Sequence, residues 1–251
     1  MRSRLFATIL ILAAGTGAAQ DMATGDIVQR SEHAGEMSVS MPPAPAHLPE
    51  PLRETLRFEP WQMLEDLFRD DIVLLMRHGP TDWSRDDPSG VLPTDCANQR
   101  VMTADGMDRM RDLGVLLAGN GIVPGRILVS EWCRNQQTLE ALVEGISLVD
   151  PEFLNHAEIE TNPAANLLLS LEGAATVTEL RRLIADWQGS ASGPLLIISH
   201  FTNIAELTEF HVYEGEILVL DPDRRSRVLG YLRLRSAAPD VGHFDVANGP
   251  R

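Results

Sequence analysis

The chain has 251 residues, enough for one domain with a sizeable core, and an ordinary apolar fraction of 44%. Its formal charge of −15, with all 21 basic residues arginine, excludes nucleic acid or an anionic membrane surface as a general partner. Any anion site must be a local positive island.

Residues 1–19 read as a secretory signal. Arg2 and Arg4 open it, Leu5 to Ala14 is an apolar stretch too short to span a bilayer, and Gly17-Ala18-Ala19 suits cleavage before Gln20. The expected location is therefore the periplasm or the exterior, with no stable membrane span. Residues 20–58 lack sustained periodicity. Met41-Pro42-Pro43-Ala44-Pro45-Ala46 and Pro49-Glu50-Pro51 mark them as a Pro-rich extension or linker, so the folded domain is expected over 59–251.

Glu59-Pro60-Trp61 opens a short helix through Arg69. The run Ile72 to Met76 then ends abruptly in Arg77-His78-Gly79. A short continuous run of branched residues reads as a buried strand of a parallel sheet, and ligands of such sheets bind beyond the carboxyl ends of the strands. Gly79 lets the backbone turn or approach a ligand. Thr81 follows, with a hydroxyl suited to phosphate oxygens, and then a loop from Arg85 to Pro93. Thr103 caps a helix running to about Ala118.

A second strand, Arg126 to Ser130, leads into Glu131-Trp132-Cys133-Arg134 and a helix over 133–144. Arg134 sits in its first turn, where side chain and helix dipole favour the same anion. Ile146 to Val149 reads as a strand, residues 150–172 as a loop above the strand ends, and 174–187 as a helix. A third apolar run, Leu195 to Ile198, ends in Ser199-His200. A short helix with Ile204 and Leu207 follows, then a strand pair over 216–220 and 227–234, and a tail. Taken singly, each of these His and Arg residues reads at least as well as a structural residue. Jointly, three strand ends bring two His and two Arg to one place.

The ordered set resembles the histidine phosphatase superfamily, which includes the phosphoglycerate mutases. Arg77-His78-Gly79 is similar to its signature on the first core strand. Met102-Thr103-Ala104-Asp105-Gly106 is similar to its first helix start, Ser130 through Thr138 to its second element, and Ser199-His200 with Asn203-Ile204 to its third, over residues 70–220. The resemblance implies an α/β three-layer sandwich with a mainly parallel central sheet, and a metal-independent phosphomonoesterase without cofactor. His78 would be the nucleophile forming a phosphohistidine, with Arg77, Arg134 and His200 on the phosphoryl group. A mutase, or a phosphate-binding module without turnover, is the alternative of the same fold. The implied partner is a phosphorylated small molecule, an envelope component or a phosphoprotein.

The chemistry suits the residues. Arginine's planar fork donates two parallel bonds to a phosphoryl group. A neutral histidine nitrogen can attack phosphorus if the other nitrogen is held by an acceptor, expected near Gly79. The leaving alkoxide needs a proton. In the family an acid after the second arginine usually supplies it, which points to Glu158 or Glu160 and favours Glu158, though an ordinary solvated carboxylate is an equal reading. Arg100 is either a further phosphate contact or a surface pair. Phe201 follows His200 where many relatives carry Gly or Asp. Export makes a Cys96–Cys133 disulfide compatible with the sequence, but two cysteines fix no distance, and neither has a partner at zinc-ligand spacing.

Overall fold

The apolar run before His78 forms β4 (Val73–Arg77), buried at every position. A computed structural model describes residues 29–33, 36–40, 52–58, 65–168, 174–190 and 192–240. The expected signal at 1–19, most of the helix expected over 59–69 and the chain beyond 240 lie outside the described residues.

β4 belongs to a nine-stranded sheet. The other strands are β1 (Gln29–His33), β2 (Glu36–Ser40), β3 (Leu56–Phe58), β5 (Arg126–Val129), β6 (Glu158–Thr161), β7 (Leu195–Ser199), β8 (Ile217–Asp221) and β9 (Arg227–Leu234), in the order β1-β2-β3-β9-β8-β4-β7-β5-β6. β4, β7, β5 and β6 run parallel, and the remaining pairings are antiparallel. The sheet is therefore mixed, and the mainly parallel arrangement expected from the sequence holds only for the half bearing the two histidines.

Alternation along β4 divides the core. Leu74 and Met76 pack with α1 (Ala104–Gly119) and α2 (Cys133–Val149) on one face. Val73 and Leu75 pack with α4 (Ala174–Ala185) and α5 (Phe201–Thr208) on the other. A one-turn helix α3 (Phe153–His156) precedes β6. The Thr103 side chain caps α1 by accepting from Gly106 N at 2.9 Å.

Three stretches differ from the sequence expectation. Ile146 to Val149 is the last turn of α2, because Leu142 and Ile146 continue its buried stripe. Residues 158–161 form strand β6 instead of a loop. Part of the stretch read as a linker supplies β1, β2 and β3. In β3, Leu56 and Phe58 face the core with Arg57 outward, a run of three too short to register as periodic.

Cys96 and Cys133 are bonded, with Cα atoms 5.5 Å apart. The bridge ties the loop before α1 to the first residue of α2. It spans 37 positions, and loop-closure entropy for that length is worth about 4 kcal/mol. A Cys96→Ala/Cys133→Ala variant should lose stability of that order in denaturant unfolding; an unchanged midpoint would contradict it. No helix among the described residues is long and apolar enough to cross a membrane.

Candidate active site

The parallel strands end side by side. Backbone bonds continue past them: His78 N donates to Ser199 O and Ser130 N to Ile198 O, each at 3.1 Å. The amino end of α2 is stitched to the same edge. Asn135 Nδ2 donates to Ser199 O at 2.9 Å. Thr138 Oγ1 accepts from Gly79 N at 2.9 Å while donating to Arg134 O at 2.6 Å. A Cβ on Gly79 would lie 2.5 Å from Met110 Cγ and 2.7 Å from Met102 Cε. The glycine thus leaves room for the side chains of Met110 in α1 and Met102 just before it, where the sequence suggested ligand approach.

His78 is 2% exposed. Its Nδ1 lies 2.9 Å from Gly79 O, which only an N–H can satisfy, so the ring proton sits on Nδ1 and Nε2 carries the lone pair. Burial, then the charges of Arg134 and Arg77, hold its pKa well below the ordinary histidine range. His78 is a neutral, desolvated base at neutral pH.

His200 is 1% exposed, with its ring centroid 5.6 Å from that of His78. Asn166 fixes its tautomer. Asn166 Nδ2 donates to Glu131 Oε2 at 2.6 Å, so its Oδ1 accepts from Glu131 N and from the Ser130 hydroxyl. The Ser130 hydroxyl proton is thereby used, and its oxygen accepts from His200 Nε2–H at 2.9 Å. His200 Nδ1 is buried without a hydrogen-bond partner among the described residues. Burial and the charges of Arg134, Arg77 and Arg100 push its pKa down. To donate to an anion from Nδ1, His200 must gain a proton or shift its own while Ser130 reverses.

Arg77 and Arg134 are each 1% exposed. Arg77 Nη1 donates to Val212 O at 2.9 Å, and its Nη2 lies 2.6 Å from Asp240 and 3.6 Å from Glu214. Phe201 packs on its guanidinium, with Cζ 5.3 Å from the ring centroid. Arg134 Nη1 pairs with Asp87 at 2.9 Å. Burial lowers its pKa to about 10, with Arg100 and Arg77 adding to the shift and Asp87 opposing it. Arg100 stacks on Trp83 at 3.7 Å, and its Nε is buried without a partner among the described residues. It is half-buried at the edge of the cluster.

The structure thus brings together Arg77, His78, Arg134 and His200. Thr81 is adjacent, but its hydroxyl donates to Glu214 Oε1 at 2.5 Å and its N–H to Oε2 at 3.2 Å. Glu158 is not part of the cluster. It starts β6 in register with Arg126, to which it pairs at 3.5 Å, and its side chain is 73% exposed. Because β5 and β6 are parallel, that register puts Glu158 at the amino end of the sheet, four residues below Ser130, or about 13 Å. Glu160 pairs with Arg126 at 2.8 Å.

Three carboxyls that the sequence did not single out take its place: Asp87, Glu214 and Asp240. Glu214 is buried. Burial, with a smaller push from Asp240, raises its pKa, against the opposing pull of Arg77 and Thr81. Beyond Thr81, its carboxyl accepts from Trp83 Nε1 at 3.3 Å. No cluster of three or more His, Cys, Asp or Glu suited to a metal occurs among the described residues. A groove of about 540 Å³ lies beside the disulfide, between Glu131, Gln136, Glu140 and Ile159, and is lined by neither histidine.

No family model and no curated protein matches the sequence. Solved structures do resemble the chain. One is a protein histidine phosphatase SixA complexed with tungstate, 21% identical with a TM-score of 0.44 over 63% of this chain and 93% of that one. A putative phosphohistidine phosphatase SixA from Agrobacterium tumefaciens is 18% identical, with a TM-score of 0.41 over 68% and 99%. Phosphoglycerate mutase from Plasmodium falciparum is 16% identical, with a TM-score of 0.38 over 68% and 94%. The likeness is of fold, at low identity, and assigns no residue a role.

Proposed function

We propose that the protein is an exported phosphomonoesterase that works through a phosphohistidine at His78. The observation that carries this reading is the state of His78. It is buried and neutral, its Nδ1–H is held by Gly79 O, and it is flanked by two buried arginines. A lone pair on Nε2 is what an attack on phosphorus needs. Arg77 and Arg134 supply the charge that the equatorial oxygens of the transferring group require. No metal is called for in this scheme. The disulfide supports an oxidising compartment, in keeping with residues 1–19 as a leader.

Glu214 is the acid in this reading. Asp87 and Asp240 each face an arginine directly, at 2.9 and 2.6 Å. Glu214 is the one of the three whose nearest arginine stands off at 3.6 Å, and its burial favours the protonated acid against the donors of Thr81 and Arg77's charge, which favour the carboxylate. As the bond from Nε2 of His78 to phosphorus forms and the ester P–O bond breaks, Glu214 protonates the departing alkoxide. Its carboxylate then takes a proton from the water that attacks phosphorus. The P–N bond breaks, inorganic phosphate leaves and Glu214 is protonated again.

The test is hydrolysis in EDTA of two esters, glycerol 2-phosphate and 2,4-dinitrophenyl phosphate. Wild type should turn over both. Glu214→Gln should lose about 10²-fold or more in kcat on the alkyl ester, whose leaving group needs a proton, and far less on the activated one. Equal losses on both would remove Glu214 from this role. Loss of wild-type turnover in EDTA would overturn the metal-independent mechanism.

A further inference from the structure

Both terminal nitrogens of Arg77 already face protein oxygens, and only its Nε is without a hydrogen-bond partner among the described residues. Its Nη1 is taken by Val212 O, and its Nη2 faces Asp240 at 2.6 Å with both side chains 1% exposed. Topology accounts for this. β8 is antiparallel to β4 and β9 to β8, with Ile217 opposite both Met76 and Leu232. The end of β9 is thereby returned to the carboxyl end of β4, and the segment after it reaches the histidines. That segment is tied at its start: Arg235 N donates to Thr55 O at 2.9 Å, Ala237 N to Leu234 O at 3.1 Å and Ser236 N to Glu54 Oε2 at 3.2 Å.

The charges of the cluster balance when it is closed. Arg77, Arg100 and Arg134 stand against Asp87, Glu214 and Asp240 when all are ionised. If Asp240 leaves and Glu214 carries its proton, Asp87 alone opposes the three arginines. The remaining two positive charges match a phosphomonoester dianion. A carboxylate presents two oxygens to a guanidinium much as a phosphoryl group does, so one can replace the other with little change in bonding to Arg77.

We infer that Asp240 is an internal anion: residues 235–240 close the site by occupying the phosphoryl position on Arg77, and a phosphorylated ligand enters by displacing them. This rests on the reading of the site as a phosphate site, but not on turnover. A ligand that binds only the open form has its apparent affinity reduced by the fraction of molecules that are open. Weakening the internal contact removes that reduction.

The experiment is equilibrium binding of orthovanadate and of inorganic phosphate to the full chain, for wild type and Asp240→Asn, by calorimetry. Alongside it, amide exchange of residues 235–240 is measured in wild type with and without saturating vanadate. Asp240→Asn should bind vanadate about tenfold or more tightly. Vanadate should speed exchange at Ser236, Ala237 and Asp240 in wild type. Weaker or equal binding by the variant, with exchange unmoved by vanadate, would overturn closure and make Asp240 a fixed part of the site. If the variant fails to fold, wild-type exchange decides alone. Binding without hydrolysis would retain closure while overturning the phosphatase reading. Absence of any binding to either protein would overturn both.

Discussion

His78→Ala should lower kcat/KM for an aryl phosphate by about 10⁴-fold or more, or roughly 5.5 kcal/mol of transition-state stabilisation. His200 is the other buried imidazole of the cluster, with its Nε2–H held by Ser130 and its Nδ1 without a partner among the described residues, so His200→Ala in the same assay separates the two rings. His78→Asn is the companion variant, since its amide can still donate to Gly79 O and so keeps the fold while removing the nucleophile. The outcome against the assignment is a variant that is folded by circular dichroism and retains activity. The pH profile carries the same information. Because the folded pKa lies below the ordinary 6.5, the ring stays neutral as pH falls through that value, and its acid limb should lie below pH 6.5. Stability moves oppositely: below pH 6.5 the unfolded chain binds protons that buried His78 and His200 refuse, so the native state weakens as pH falls.

Arg134→Gln should cost about 10²- to 10³-fold in kcat/KM, the usual consequence of losing one donor aimed at developing charge. Arg134→Lys should recover part of this, because a lysine restores charge but not the planar fork. The effect should fall mainly on kcat if Arg134 serves the transferring group, and mainly on KM if it only gathers substrate. Arg134 is held in place by its pair with Asp87 and by Cys133, the neighbouring residue in the disulfide. Comparing Asp87→Asn with Arg134→Gln in the same assay separates charge from positioning, and a full-activity Arg134→Gln would remove this arginine from the reaction.

The half of the sheet that carries the histidines was legible in the sequence. β4, β5 and β7 are apolar runs with a polar residue at the carboxyl end, and parallel neighbours are the arrangement in which such ends converge. The carboxyls were not legible. Glu214 precedes β8 and Asp240 follows β9, and they reach the site because β8 and β9 run antiparallel to β4 and to each other. A strand pair read from the sequence has no direction relative to the rest of the sheet. The Glu-Gly-Glu at 214–216, just before a buried strand, was the available signal. Glu158 failed for a related reason: its distance from Arg134 along the chain says nothing about register, and register places it at the wrong end of β6. Arg100 shows the limit of composition, since a lone arginine beside a loop cysteine is usually at the surface and here lies stacked on Trp83.

β6 is the last strand of the sheet, and its outer edge carries backbone groups with no strand beyond them among the described residues. Such an edge is a template on which a second copy could add a strand and begin to aggregate. Glu158 and Glu160 stand on that strand, with side chains 73% and 43% exposed and Arg126 beside both. An incoming copy of the same segment would set like charges against each other and strip water from them. Charges so placed beside an exposed Ile159 disfavour strand addition at this edge, the position at which gatekeeper residues are effective.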